Sequence, residues 1–527
     1  MSRDVKLEVL DLLDSARTLY GVHAPGTLTE LERKMQEPLR LAIAGIVKSG
    51  KSTLLNAFLG ERVAATDAGE CTRLVTWYRY EATPSVTLYR HDGSRRQLPI
   101  ERADGKLTFE PDIPTNEIDR IEVGWPARAL QSVILIDTPG IASLSLDSSA
   151  RSTGFLAPED SHPSADAIVY LMRHLHPSDL RFLESFRDTA AGTSRTVNAV
   201  AVLSRADEVG SGRIDSLLSA RKVAHRYERD DSLASLVLGV FPVAGLLAEG
   251  ARTLSEREFA AFRELAALPH EDREKVLVSA DRFIRLSDFT TLAEEERREL
   301  ISRFGIFGLR LATSLIRTGA TNASLLSEQM VRQSGLIEFG NFVQDQFVGR
   351  AATLKAHGVL ESLERLLLTR PVENPAPLFA GIERIRLGLH ELRELSLLSL
   401  ARTAGLPVRL SEAGAIRIVG GEGLAAHRRL GLPEGSSRHA LETRVSDELA
   451  SWRARVHDPA NDRAATEVCH VVIRSLEGAG SQFRSGGGDD RAPLDVMLAS
   501  GPRDGTRERA HEHGEDRQTG LGAQQLL

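Results

Sequence analysis

Gly45, Gly50, Lys51 and Ser52 stand at the spacing G-x-x-x-x-G-K-[ST] within the stretch AGIVKSGKSTLLNAFLG. Glycines at those positions let backbone N–H groups turn inward around phosphate oxygens. A lysine next to them reaches the terminal phosphates as a point charge, and the serine hydroxyl can ligate Mg2+. The expected phosphate contacts are therefore Gly45, Lys48, Ser49, Gly50, Lys51, Ser52 and Thr53. The chemistry implied is the handling of a nucleoside triphosphate.

Which nucleotide, and whether it is cleaved, depends on residues further along. Asp137-Thr138-Pro139-Gly140 follows the apolar run SVILI, so Asp137 at a strand end can hold the Mg2+ shell through water and the Gly140 N–H can meet a γ-phosphate. Gly69-Glu70-Cys71-Thr72-Arg73 lies between the two motifs. Thr72 is the candidate to complete the Mg2+ ligands and orient attacking water, with Thr66 as fallback. Ser204-Arg205-Ala206-Asp207 comes after VNAVAVL, where a guanine-binding protein carries [NT]-K-x-D. A carboxylate at Asp207 can accept from guanine N1–H and the exocyclic amine together, which adenine cannot offer. Arg205 can stack its guanidinium over a base, although Ser204 and Arg205 depart from the usual first two residues and loosen the expected guanine selectivity. The set reads as a GTP/GDP site with Mg2+ held by Ser52, Thr72 and, through water, Asp137.

These residues need strand ends and helix starts to position them. Leu39 to Ala44 is an apolar run of strand length before the glycine loop, and Thr53 to Leu59 starts a helix. Leu74–Tyr80, Ser85–Arg90 and Ile118–Val123 carry strand-forming residues, and Ser132–Ile136, Ala167–Met172, Val197–Leu203 and Leu236–Val243 add four apolar runs. Helical stretches such as Pro177–Arg187 between them predict an α/β head with a mostly parallel sheet covered on both faces. Beyond about residue 250 the segments Leu254–Leu268, Asp272–Ile284, Leu292–Arg317, Ser324–Arg370 and Pro377–Ala404 are periodic at helical spacing and predict an all-α bundle. Ile382, Ile385, Leu389 and Leu392 form one such core face. From Arg484 onward, glycine and charge without periodicity predict a disordered tail.

Composition narrows the class. With 527 residues, 42% of them hydrophobic, the chain can build several cores, and a net charge of −7 provides no general basic field for nucleic acid. Cys71 and Cys469 are far apart and read as free thiols in a reducing compartment. The first residues look like an amphipathic helix, not a signal peptide, and Ser232–Ala248 is too short and too broken by Gly239 and Pro242 to span a bilayer, reading instead as a buried strand with its turns. His174 and His176 lack a carboxylate or cysteine cluster and are read as loop residues.

GIVKSGKSTLLNAFLG, the Cys71-Thr72 loop, DTPG, the degenerate SRAD and the long helical C-terminal half together resemble the bacterial dynamin-like GTPases, nearest to the isoniazid-inducible dynamin-like proteins of mycobacteria. The stretch Ser334–Leu367 is similar to the helical segment that follows the head in that family, and the resemblance spans about residues 1 to 370. It implies a P-loop GTPase head at 38–250, with its end left open up to about 350, N-terminal neck helices at 1–37, and an elongated helical neck and trunk at 251–483 before the tail at 484–527. It further implies GTP hydrolysis to GDP and phosphate, head-to-head pairing as a homodimer or with a paralogous dynamin-like chain, and peripheral membrane remodelling at the inner face of the cell membrane, without nucleic acid. Head pairing is the step expected to accelerate hydrolysis.

Val47 and Lys48 occupy loop positions where eukaryotic dynamins place glutamine and serine. Val47 cannot hydrogen-bond a water. Lys48 can bring positive charge near the bridging oxygen, which makes Lys48 a catalytic candidate beside Lys51, Thr72 and Gly140. Ile141 leaves no glutamine after DTPG, so slow turnover by isolated heads is expected. Two alternatives stay open: a hydrolysis-poor scaffold partner of a catalytic paralogue, and a GTPase acting on ribosome or tRNA. The candidate membrane contacts are Phe304–Leu309, flanked by Arg303 and Arg310, and Leu395–Leu410.

Overall fold

A computed structural model of the chain describes residues 4–64, 74–103, 106–108, 113–139, 165–184, 197–285, 288–408 and 411–484. Its strands are β1 (Leu39–Gly45), β2 (Thr76–Tyr80), β3 (Ser85–Arg90), β4 (Arg95–Gln97), β5 (Glu101–Ala103), β6 (Lys106–Thr108), β7 (Ile118–Trp125), β8 (Val133–Asp137), β9 (Ala167–Met172), β10 (Ala199–Ser204) and β11 (Val240–Val243). Nine of them make one sheet in the order β11-β10-β9-β1-β8-β2-β7-β3-β4, with β5 and β6 as a separate hairpin. From β11 to β8 every pairing is parallel, and β2 then runs antiparallel to β8.

The sequence explains the sheet's centre. All seven residues of β1 are buried, and Ala, Ile and Leu dominate it, as required of a strand covered on both faces by helices. Ile43 pairs with Asp137 on one side and Val169 on the other, so the carboxyl ends of β1, β8 and β9 meet at one edge. That edge is where open α/β sheets bind ligands. β11 is shorter than its apolar run Leu236–Val243 predicts, because Leu236 and Val237 donate back to the Leu233 carbonyl in a turn that follows the helix Asp231–Ala234. Pro242 is tolerated in β11 because β11 is an edge strand and needs no second ladder.

The C-terminal half is helical as expected, but its long segments are broken. Ser324–Arg370 divides at Gly335, whose φ of +81° brings it so near β11 that a Cβ would lie 2.2 Å from the Pro242 carbonyl oxygen. It divides again at a π-helical turn, Gln344–Val348, before the helix Ala351–Thr369. Pro377–Ala404 separates at Leu389 into Ala376–Gly388 and His390–Thr403. The helix Glu294–Arg317 is kinked at Gly305, with φ 62° and ψ 172°, a conformation open only to glycine.

The described residues of both candidate membrane segments, which for the second end at Val408, pack into the interior. Phe304, Phe307 and Leu309 are buried, and Phe304 stands edge-on to Phe262 at 5.0 Å. Leu395, Leu406 and Val408 are buried as well. Alternating burial of these side chains on periodic helices is core patterning, so the arginines beside them serve the fold: Arg303 pairs with Glu258 at 2.6 Å.

One continuous core joins the sheet, the N-terminal helices Val5–Tyr20 and Gly26–Gln36, and the C-terminal helices as far as Leu395. A second core, from Leu397 to Leu476, holds the last helices. Helix Val5–Tyr20 packs on Ala351–Thr369 and Ala376–Gly388. The buried Lys355 caps the other N-terminal helix, donating from Nζ to the carbonyls of Met35 at 3.0 Å and Glu37 at 2.5 Å. Between the two cores, Glu394 accepts from Arg350, Arg429 and Ser475. This buried carboxyl is held below its ordinary pKa by the two guanidiniums, Arg429 first, against the opposing effect of burial. The tail beyond residue 484 lies outside the described residues.

Candidate functional site

The loop between β1 and helix Lys51–Leu59 has the backbone that its glycines predict. Gly45 takes φ +149°, and a Cβ there would meet the Leu171 carbonyl oxygen at 2.4 Å; Gly50 takes φ +94° just before the helix. Lys48, a residue with a Cβ, is also held at positive φ, 63°. Such a conformation costs about 1 kcal/mol and persists where surroundings impose it. Part of that constraint is Arg205, which donates from Nη2 to the Lys48 carbonyl at 3.2 Å. The Lys48 side chain itself is exposed, as is Val47.

Several polar groups cluster at the loop. Lys51 donates from Nζ to the carbonyls of Gly45 and Ile46, both at 3.3 Å. Ser52 donates to Asp137 Oδ2 at 3.1 Å. Burial pulls the Lys51 ammonium down from its ordinary pKa, opposed by Asp137; burial pushes the Asp137 carboxyl up, opposed by Lys51 and Ser52. Ser49 Oγ and Asp137 Oδ1 are buried without a hydrogen-bond partner among the described residues. Buried polar atoms of this kind are costly when left unpaired and are suited to a polar ligand or ordered water. The hydroxyl of Ser52 and the carboxylate of Asp137 are hard oxygen donors that fit Mg2+. Thr138 fixes the start of the DTPG turn by donating its hydroxyl to the Ile43 carbonyl at 3.0 Å.

The base end lies beyond the glycine loop, where a cavity is lined by Ser49, Thr53, Ser204, Arg205 and Asp207. Ser204 donates to the Met172 carbonyl at 3.2 Å and so anchors the end of β10. Arg205, at φ +54°, pairs with Glu208 at 2.9 Å, and Glu208 also holds Arg173 at 3.1 Å. Asp207 is 7% exposed, and burial raises its carboxyl to about pKa 6.

Two contributors had no motif to reveal them. Gly245 and Leu246, directly after β11, close the base end. The kink residue Gly305 stands beside it, where a Cβ would lie 3.9 Å from Asp207 Oδ2. The small residues of VAGLL after an apolar run are the one trace of the first. Thr72, its fallback Thr66, Cys71 and Gly140 lie outside the described residues. His174 and His176 belong to the loop before helix Pro177–Glu184, where the His176 N–H caps on Asp179 at 2.9 Å. No group of three metal-binding side chains occurs among the described residues, and no described helix is long and apolar enough to cross a membrane.

The segment before residue 65 is tied to the loop helix by one buried amide. Asn56 Oδ1 accepts from the N–H groups of Val63 at 3.0 Å and Ala64 at 2.7 Å, while its Nδ2 donates to the Ala64 carbonyl at 3.1 Å and to Glu249 at 3.3 Å. Asn56→Ala leaves these groups unpaired and is expected to cost about 3 kcal/mol in urea unfolding of the nucleotide-free protein. A loss below about 1 kcal/mol would mean that water replaces the amide.

Residues 41–185 match the Dynamin family. Isoniazid-induced protein IniC of Mycobacterium tuberculosis is 38% identical over 458 residues, which span 86% of this chain and 92% of that protein. Isoniazid-induced protein IniA of the same species is 28% identical over 172 residues, 31% of this chain and 26% of that protein. A bacterial dynamin-like protein of Nostoc punctiforme is 30% identical over 178 residues, 30% of this chain and 24% of that protein.

Proposed function

Because the chain belongs to the bacterial dynamin-like GTPases, in the group that contains isoniazid-induced protein IniC, we propose that it couples GTP hydrolysis, through pairing of its heads, to binding and remodelling of the inner face of the cell membrane. The observation that carries the hydrolytic part is a cavity with Ser49, Gly50 and Thr53 at one end and Ser204, Arg205 and Asp207 at the other, while Lys51 and the Ser52–Asp137 pair stand on the adjoining loop helix and strand end.

In this reading GTP lies with its phosphates under the loop and its base against Asp207. Lys51, released from the Gly45 and Ile46 carbonyls, meets the terminal phosphates, and Ser49 finds an acceptor there. Ser52 and Thr72 would hold Mg2+ directly and Asp137 through water, and the ion would supply charge neutralisation for the phosphates. Asp207 accepts two guanine N–H groups and Arg205 lies along the base, kept there by Glu208 and the Lys48 carbonyl. Gly140 senses the γ-phosphate. Lys48, exposed on the loop, brings positive charge toward the bridging oxygen, and pairing of heads is the step that raises turnover above the slow rate of isolated heads.

The N-terminal helices together with 251–483 form the neck and trunk of this reading, beyond a head at 38–250. The exposed Val47 and the arginine in place of the usual lysine favour one second reading, a hydrolysis-poor partner of a catalytic paralogue. Mg2+-dependent GTP turnover per molecule, followed as protein concentration rises, separates them. Specific activity is expected to climb several-fold with concentration for GTP and not for ATP; a flat rate near zero despite GTP binding would establish the scaffold.

A further inference from the structure

The helix Ser216–Glu228 begins nine residues after Asp207 and carries a face that the nucleotide site does not use. Ala220 and Ala224 turn inward and are buried. Leu218, Arg221, Lys222, His225 and Arg229 recur at helical spacing and are all exposed. Between residues 213 and 229 there are five arginines or lysines against two carboxylates, in a chain whose net charge is −7. One of those carboxylates, Glu228, gives one oxygen to the β11 N–H of Val240 at 3.2 Å and to Arg402 at 3.3 Å, and its other oxygen lies 3.1 Å from His225 Nδ1. The other, Asp215, pairs with Arg213 at 3.3 Å, and Arg221 reaches Glu338 at only 3.8 Å.

Large aliphatic side chains stand in the same region. Ile214 is 58% exposed, Leu218 61% and Val278 59%. Val278 is brought there by Arg310, which donates to the carbonyls of Gly212 at 2.5 Å, Leu277 at 2.9 Å and Val278 at 2.8 Å. Exposed aliphatics bordered by cations mark an interaction surface. A second copy of the chain docking symmetrically through this face would set its cations against themselves, which disfavours that occupant.

We infer that the exposed face of helix 216–228, with Ile214 and Val278 at its start, docks on an anionic phospholipid surface. The inference rests on the membrane reading above and gives it a contact. Aliphatic side chains of this size enter the headgroup boundary independently of one another, while neighbouring guanidinium and ammonium groups meet lipid phosphates. A fixed acidic protein would have to match each cation in place. Docking here brings the base-binding loop, residues 205–212, next to the bilayer.

Sedimentation of the full-length protein with vesicles tests this, using equal parts phosphatidylglycerol and phosphatidylcholine in one arm and phosphatidylcholine alone in the other. The wild type is expected to bind the anionic vesicles at least tenfold more tightly. Arg221→Glu/Lys222→Glu should lose at least tenfold on them, Ile214→Ser/Leu218→Ser several-fold, and Arg438→Glu, on a distant helix, nothing. Unchanged basal GTP turnover certifies the fold of each variant. If both double variants sediment like the wild type, the face is not the contact while the membrane reading stands; if the wild type itself ignores anionic vesicles, that reading fails and takes this one with it. A double variant that keeps vesicle binding but loses concentration-dependent turnover would reassign the face to a protein partner.

Discussion

Lys51→Ala is expected to lower GTP turnover at least a thousandfold while GDP affinity falls much less. In the free protein the ammonium rests on two backbone carbonyls at 3.3 Å, where burial costs it and Asp137 compensates. A triphosphate adds negative charge to a space that already contains the Asp137 carboxyl, so Lys51 is the group that offsets both. Charge accumulates at the transferred phosphate in the transition state, so the lysine's contribution is largest there; a loss of about 4 kcal/mol, or a thousandfold, is the usual scale for one such group. Single-turnover hydrolysis and fluorescent-GDP binding measure the two effects separately. The circular-dichroism melt of the variant should stay close to that of the wild type, because the desolvation of the buried ammonium offsets its two carbonyl hydrogen bonds at 3.3 Å. A decrease of less than tenfold in turnover would transfer the role to another cation, with Lys48 the first to test.

The phosphate end of this site was legible in the sequence because phosphate binding demands backbone conformations that few residues allow. Gly45 and Gly50 adopt positive φ where the motif places glycine, and Asp137 ends its strand paired with Ile43. The sheet was legible for a related reason: parallel strands buried on both faces leave apolar runs that nothing else explains. What escaped was set by approach between distant segments. Gly335 breaks a long helical pattern only because β11 passes beside it, and Gly305 bends another helix next to Asp207. Neither partner is near in sequence, so periodicity read both stretches as continuous. The same limit misplaced the membrane candidates, since an apolar helix ending in arginines has one appearance whether its partner is lipid or Phe262.

Asp207→Asn is expected to weaken GTP binding at least a hundredfold and, at the same time, to stabilise the nucleotide-free protein. The two outcomes share one cause. Asp207 is almost wholly buried before guanine arrives, and its carboxyl is raised to about pKa 6, first by burial and then by Glu208, with its own backbone N–H and then Arg205 opposing. A folded-state pKa above the unfolded one means that the folded protein holds this proton more tightly, so ionising Asp207 costs stability. That cost is absent below about pH 4, grows through the window up to about pH 6, and is full above it, where it amounts to roughly 2–3 kcal/mol. Asparagine carries no charge, so the gain in unfolding free energy should appear at pH 7.5 and vanish at pH 4. The same carboxylate, once ionised, accepts both guanine N–H groups, which asparagine cannot do with one oxygen and one amine. Xanthine offers an oxygen where guanine offers an amine, so xanthosine triphosphate should bind the variant better than GTP does. Wild-type affinity for GTP should likewise decline as pH falls through 6, where the carboxyl regains its proton. A variant that melts no higher than the wild type at pH 7.5 would mean that water already solvates Asp207 in the free head, and one that keeps its preference for GTP would remove Asp207 from the base site altogether.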